Sequence, residues 1–254
     1  MWRIYQAMKN RMSQYLLAES TLISNSSVGS NIITLSSTDD FEAEGINNEY
    51  PQCILVDNNT TGRQIAGGVE GAEVVELDIV YGNNIQLKAP LQNDWLVSNN
   101  ARLKRAPNGV PIDDVIIGDL AVIPKFPVVC LLPISKAISW KTFSGTVEKI
   151  NIDFMVYAVD DDTENATISV LKTTDVVEWI LMSNLHIQPV GYTNSYEVTS
   201  QAIVSNIDFG VIAKGSTFLK AAKLTWTADM YFWRGYLTNQ GVSESPFPGP
   251  LPTV

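Results

Sequence analysis

The chain has 254 residues, enough for one large folded unit or two small ones with sizeable cores. Apolar residues at 45% exclude a disordered tail, and one histidine with two cysteines excludes nearly every zinc site and does not support a disulfide framework. A net charge of −10, from 17 basic and 27 acidic residues, argues against broad binding to nucleic-acid phosphates, which requires clustered Lys and Arg.

Only 17% of residues are charged, against about 25% in an average soluble domain. Asn, Ser and Thr take up the difference. Val and Ile, at 24 and 23, outnumber the 20 Leu, which marks a strand-rich chain.

The first segment is the exception. Trp2, Tyr5, Met8, Met12, Tyr15 and Leu16 recur every three or four residues, which predicts an amphipathic helix over about 2–19. Arg3, Lys9 and Arg11 interrupt its apolar residues, so it does not read as a secretion signal. These cations face a single acid, Glu19, while the rest of the chain carries 14 basic and 26 acidic side chains. Such a helix either shows a solvated polar face or docks on an acidic neighbouring subunit.

A Ser/Asn/Gly linker over 20–30 leads into short predicted strands at 31–36, 53–56, 73–80, 84–88 and 95–105. Tyr81-Gly82-Asn83 reads as a hairpin turn between two of them. Short strands with Gly and Asn turns predict a small β-barrel or sandwich. Residues 106–127, with Pro107, Pro111, Pro124 and Pro127, form the expected boundary, with an interrupted strand over 115–123.

Apolar strand character returns at 128–132. Over 146–160, Ile150, Ile152, Phe154, Val156 and Ala158 alternate with Lys149, Asn151, Asp153, Met155, Tyr157 and Val159. The second set turns apolar along its length, so that face is expected to be covered, in part by a neighbouring subunit. Asp160–Glu164 reads as an acidic turn. A helix is predicted from Asp175 to Asn184, with Asp175 as its cap and Glu178 completing a capping box. Strands follow at 198–211 and 218–233. The proline-rich end, with Phe247 and Leu251, is expected to be extended, either as a disordered terminus or as a strap on a neighbour.

The expected fold class is therefore α+β and strand-rich: an N-terminal helix, a small β-barrel or sandwich module, then a mixed sheet with one packed helix. The organisation reads as an amphipathic helix in 1–24, the β module in 25–110, the α+β domain in 111–235 and an extended tail in 236–254.

Chemistry is sparse. His186 is the sole histidine and no nucleophile motif accompanies it, so it reads as structural. Asp160–Glu164 lacks the spacing and glycine of an EF-hand loop. Asp113 and Asp114 have no identifiable partner carboxylate, and Thr38-Asp39-Asp40 reads as a turn. Arg102, Lys104 and Arg105 alternate on a strand and read as an exposed face, or as a contact to DNA phosphates or an acidic partner. Trp95 beside Asn93 and Asp94 is the nearest approach to a glycan site, but the reading preferred for it is a core Trp. No enzyme and no cofactor is expected. No run reaches the ~18 apolar residues of a membrane span. Synthesis in a reducing cytoplasm is expected, with Cys53 and Cys130 as small core residues.

The strand and turn NIITLSSTDDF (31–41) and the later NNIQLKAPL (83–91) resemble the small β modules of tailed-bacteriophage neck and tail proteins. VEKINIDFMVYAVDDD (147–162), DVVEWILMSNL (175–185) and SNIDFG with GSTFLKAAKLTW (205–226) resemble tail terminator or head–tail joining proteins. The β insertion before 127 departs from a minimal terminator. The resemblance implies a structural virion protein made in the host cytoplasm. It would form a homo-oligomeric ring, a hexamer or larger, among other neck or tail proteins at the head–tail junction. DNA would pass through its channel without sequence-specific binding. A baseplate, decoration or receptor-binding module is the alternative. The residues expected at interfaces are Trp2, Arg3, Tyr5, Lys9, Arg11, Met155, Tyr157, Val159, Phe247 and Leu251.

Overall fold

The computed structural model describes residues 2–41, 46–59, 65–66, 69–118, 126–142, 145–160, 162–183, 186–187, 197–214 and 217–233. The chain opens with helix α1 (Trp2–Leu16) and then enters a curled sheet. The strands of this sheet are β1 (Glu19–Thr21), β2 (Ile32–Thr34) and, after a short helix α2 (Ile46–Glu49), β3 (Gln52–Val56). A two-residue pair, β4 (Ile65–Ala66) and β5 (Val69–Glu70), precedes β6 (Glu73–Tyr81), β7 (Asn84–Leu87) and β8 (Arg102–Arg105). Hydrogen bonding runs β1-β8-β3-β6-β7-β2. The ends meet: Leu22 bridges Leu35, the Ile23 N–H donates to the Thr34 carbonyl at 3.0 Å, and the Ser36 N–H to Thr21 at 2.9 Å. The expected small β module is thus a curled sheet whose first and last strands touch.

Its inside is set by period-two alternation. In β6, Glu73, Val75 and Leu77 point in while Val74, Glu76 and Asp78 point out. The β6–β7 hairpin turns through Gly82 at φ 54°, a left-handed conformation that glycine adopts without a Cβ clash. The one acid pointing in is fully engaged. Glu73 accepts the N–H groups of Gln92 (2.7 Å) and Asn93 (3.2 Å), the Asn93 amide (3.0 Å) and the Trp95 indole (3.0 Å). That network folds the 91–95 loop onto the barrel and seats Trp95 in its core. The single strand predicted over 95–105 is instead a short 3-10 turn at Val97–Asn99 followed by β8. Asn100 breaks the extended run with a left-handed φ of 57°.

The second unit is one large sheet with helices on one face. Strand β9 (Asp114–Ile117) lies parallel to β10 (Val128–Thr142). Strand β11 (Gly145–Ala158) pairs antiparallel with β10. After helix α3 (Thr163–Ser183) come β12 (His186–Ile187), β13 (Glu197–Lys214) and β14 (Thr217–Trp233). The order is β12-β13-β14-β11-β10-β9. Ile150, Ile152, Phe154, Val156 and Ala158 of β11, with Leu224, Trp226 and Ala228 of β14, form the buried face, as the alternation predicts. Phe154 meets Trp226 edge-on at 6.5 Å.

Two expectations are corrected here. Helix α3 starts at Thr163, not Asp175. The acidic turn is its N-terminal cap: the Asp162 carboxylate accepts the Glu164 N–H at 2.8 Å, and its carbonyl accepts Ala166 at 3.0 Å. Asp175 lies mid-helix. The first half hides its helicity because Thr and Ile have weak helix propensity. Within the helix, the Thr167 and Thr174 hydroxyls donate back to the Thr163 and Val170 carbonyls. Helix α1 is the second correction, because it is not a separate element of 1–24. Ile4, Tyr5, Met8, Met12, Tyr15 and Leu16 are buried in the same core as β9, β10, β11 and α3. Tyr15 stacks edge-on against Trp179 of α3 at 6.1 Å. The chain begins in the second unit, then Ala18 and Leu22 enter the core of the first.

Candidate functional site

The helices α1 and α3 cover only one face of the large sheet. The other face is built by the second residue set of each alternating strand: Asn151, Asp153 and Met155 of β11, and Lys223, Thr225 and Thr227 of β14. Register places Asn151 opposite Thr227 and Asp153 opposite Thr225, so each pair shares a face. Their side chains bond across the strands. Thr227 donates to the Asn151 carbonyl oxygen at 2.8 Å and Thr225 to Asp153 at 2.9 Å. The Asn151 amide donates onward to Ser135 of β10 at 2.6 Å. Lys223 lies 4.0 Å from Asp153 and 3.6 Å from Asp208 of β13. The result is a polar wall of Ser, Thr and Asn in which Lys223 is held between Asp153 and Asp208, with Lys149 opposite Asp229 further along.

At one end this wall turns apolar, as the sequence predicts, but the cover comes from the chain itself. Tyr157 packs with Val128, Cys130 and Ala221, and Ile116, Phe126 and Met155 lie against them. Tyr157 is therefore buried, Met155 half-buried and Val159 exposed. Of the three, only Val159 is exposed.

The sheet has two long edges. Strand β12 pairs with β13 only at Glu197 and Val198. Beyond Val198, no other described strand pairs with the outer side of β13. At the opposite edge, β9 covers β10 only from Val128 to Leu131. The sequence gives no local sign of these edges, because edge position depends on strand order.

The remaining sequence-predicted residues are distributed as follows. Tyr5 is in the core, so it is not an interface residue. Lys9 is half-buried, and Arg11 is exposed with its guanidinium 5.1 Å from the Tyr15 ring centre. Trp2 and Arg3 lie in α1, but their side chains fall outside the described set. Phe247, Leu251 and the tail over 236–254 lie outside the described residues altogether. His186 stands in β12 opposite Val198.

The basic cluster on β8 is used inside the chain. Arg102 pairs with Glu19 at 3.1 Å and Lys104 with Asp113 at 3.1 Å. Arg105 is wholly buried, contrary to an exposed-face reading. It donates to Asn47 at 2.7 Å, and its guanidinium lies 5.3 Å from the Phe41 ring centre. Burial lowers its pKa, with Cys53, Asp40 and Tyr15 opposing that shift. Burial likewise pushes the adjacent Cys53 thiol up to about 11. Trp95 is a core residue, and the Asp94 carboxylate accepts the Val28 N–H at 2.8 Å, so this site offers no glycan platform. Among the described residues no group of three His, Cys, Asp or Glu side chains could hold a metal ion, and no helix is long and apolar enough to cross a membrane.

No known protein family matches the chain, and no curated protein does. Among solved structures the chain is similar to the Gp54 tailspike of Acinetobacter baumannii bacteriophage AP22, determined in complex with a capsular saccharide of its host. The sequences are 14% identical with a TM-score of 0.27, over 40% of this chain and 17% of the tailspike. A likeness at that score carries no argument about fold or activity.

Proposed function

We propose that this chain is a structural virion protein of a tailed bacteriophage that forms a ring at the head–tail junction, with DNA passing through its channel. The resemblance of its sequence segments to neck and terminator proteins supplies the station. The observation that carries the reading is the polar wall of the large sheet. A surface that binds DNA does so by releasing counterions from phosphates with Lys and Arg. This wall offers hydroxyls and amides bonded to each other, and its Lys223 is held between Asp153 and Asp208. It suits a channel lining that DNA slides past without being held. The basic residues of β8 are paired or buried and do not compete for phosphates. The proline-rich segment 244–254 is proposed to strap a neighbouring subunit or ring.

The test is to purify the full chain, image it by electron microscopy, and titrate it with duplex DNA at physiological salt. Annular particles with an open centre and no measurable DNA affinity are expected. A protein that stays monomeric at high concentration, or binds duplex with a steep salt dependence, overturns the reading.

A further inference from the structure

The two long edges of the large sheet belong to strands of opposite direction. Antiparallel pairing runs through β10, β11, β14 and β13 in turn, so β10 and β13 point opposite ways. If β13 of one molecule lies beside β10 of another, the new pair is antiparallel like the rest. Each chain therefore carries both halves of one contact.

The usable stretches can be read from the register. Pro133 has no N–H, and a shift between Pro133 and Ser135 interrupts β10. Regular pairing resumes from Ser135 to Trp140, and among the described residues no strand pairs with the outer side of this stretch. On β13 a second irregularity falls between Val204 and Asn206, after which pairing is continuous from Asn206 to Lys214.

Natural sheets shield long edges with prolines, bulges or charges, and the Asn206–Lys214 stretch has no proline or bulge. Its side chains are also apolar where solvent is expected. Phe209 is 56% exposed and Val211 54%. Phe209 stands opposite the core residue Ala222, and Val211 opposite Lys220, so both continue the helix-covered face of the sheet. On the other edge Ile138 is 52% exposed and stands opposite Glu148, on that same face.

We infer that β13 of one copy, through Asn206–Lys214, pairs with the Ser135–Trp140 edge of β10 in a second copy, so that the large sheet continues from subunit to subunit. The inference rests on the ring reading and names the surface that closes it. Backbone hydrogen bonds supply the pairing. Phe209, Val211 and Ile138 then extend the apolar layer across the joint. Because the two edges differ, the contact is heterologous, the kind whose repetition closes into a ring when the rotation per subunit divides a full turn and runs on as a filament when it does not.

The test uses two full-length variants, Phe209→Lys/Val211→Lys and Ile138→Lys, all at side chains more than half exposed. Thermal unfolding confirms that each stays folded, and mass photometry reads assembly. Wild type is expected to form rings and each variant to be monomeric, with assembly weakened at least tenfold. An equimolar mixture is expected to form dimers only, because each variant keeps one sound edge. Rings that persist in both folded variants overturn the edge inference and leave the ring reading intact. Self-dimers of Ile138→Lys overturn it in favour of β13 pairing with itself. A wild type that remains monomeric overturns both readings.

Discussion

Deleting residues 1–17 separates two roles for the N-terminal helix. Were α1 an arm for a neighbouring subunit, its removal would leave the monomer intact and weaken only assembly. The structure puts it elsewhere, with Ile4, Tyr5, Met8, Met12, Tyr15 and Leu16 in the core beneath the large sheet. Burying a large apolar side chain contributes roughly 1.5–3 kcal/mol, so these six contribute on the order of 10 kcal/mol. That figure is an upper bound, because unfolded chains already bury some surface. It still rivals the ~5–15 kcal/mol total stability of a typical protein. The deletion should therefore abolish cooperative unfolding of the second unit and expose Trp226, which is fully buried in the intact chain. A gentler variant grades the effect. Leu16→Ala should cost about 2–5 kcal/mol and lower Tm by about 5–15 °C. Near-ultraviolet circular dichroism and tryptophan fluorescence during heating are the assays. A truncated protein with the wild-type transition, impaired only in assembly, would refute the core assignment of α1.

Three further outcomes are expected. Glu73→Ala leaves four donors without their acceptor, of which only the Trp95 indole is buried and three are part-buried, so it should cost about 4 kcal/mol, the low end of roughly 1–3 kcal/mol per stranded group; denaturant titration checks this. Tyr157→Asp buries an unpaired charge within the chain's own cluster, so the monomer itself should be destabilised. An unchanged melting curve with lost assembly would return Tyr157 to an interface. Cys53 should resist maleimide in the native state, since its thiol titrates near 11, and react once unfolded. The sign for stability follows from linkage: above the ordinary thiol pKa the unfolded chain releases this proton and the folded one keeps it. Stability should therefore fall as pH rises from about 9 towards 11, and Cys53→Ala should flatten that slope.

The strands of the second unit were legible because they obey a strict period of two with one buried face. Ile150 to Ala158 and Leu224 to Ala228 are the clearest cases. The amphipathic period of α1 was equally plain, but periodicity says only that a face is apolar and not which chain covers it. Tyr5 and Tyr157 were assigned to interfaces for that reason, and both are covered by their own chain. The first half of α3 was missed because its Thr and Ile residues have weak helix propensity, so local sequence there does not announce a helix. The barrel's seam at Leu22 and Leu35 is a single bridge with no local signature. The open edges, which carry the proposed assembly, follow from strand order alone. Phe209 and Val211 read in the sequence as ordinary alternating residues, and only the absence of a described strand beyond them makes them conspicuous.

Immunogold labelling of phage particles that carry this chain tests the central claim most directly. With antibody against the folded protein, gold is predicted at the junction of head and tail, as a compact cluster on each particle. Gold at the tail tip or scattered over the capsid, or intact particles that lack the protein, would contradict a ring in the neck.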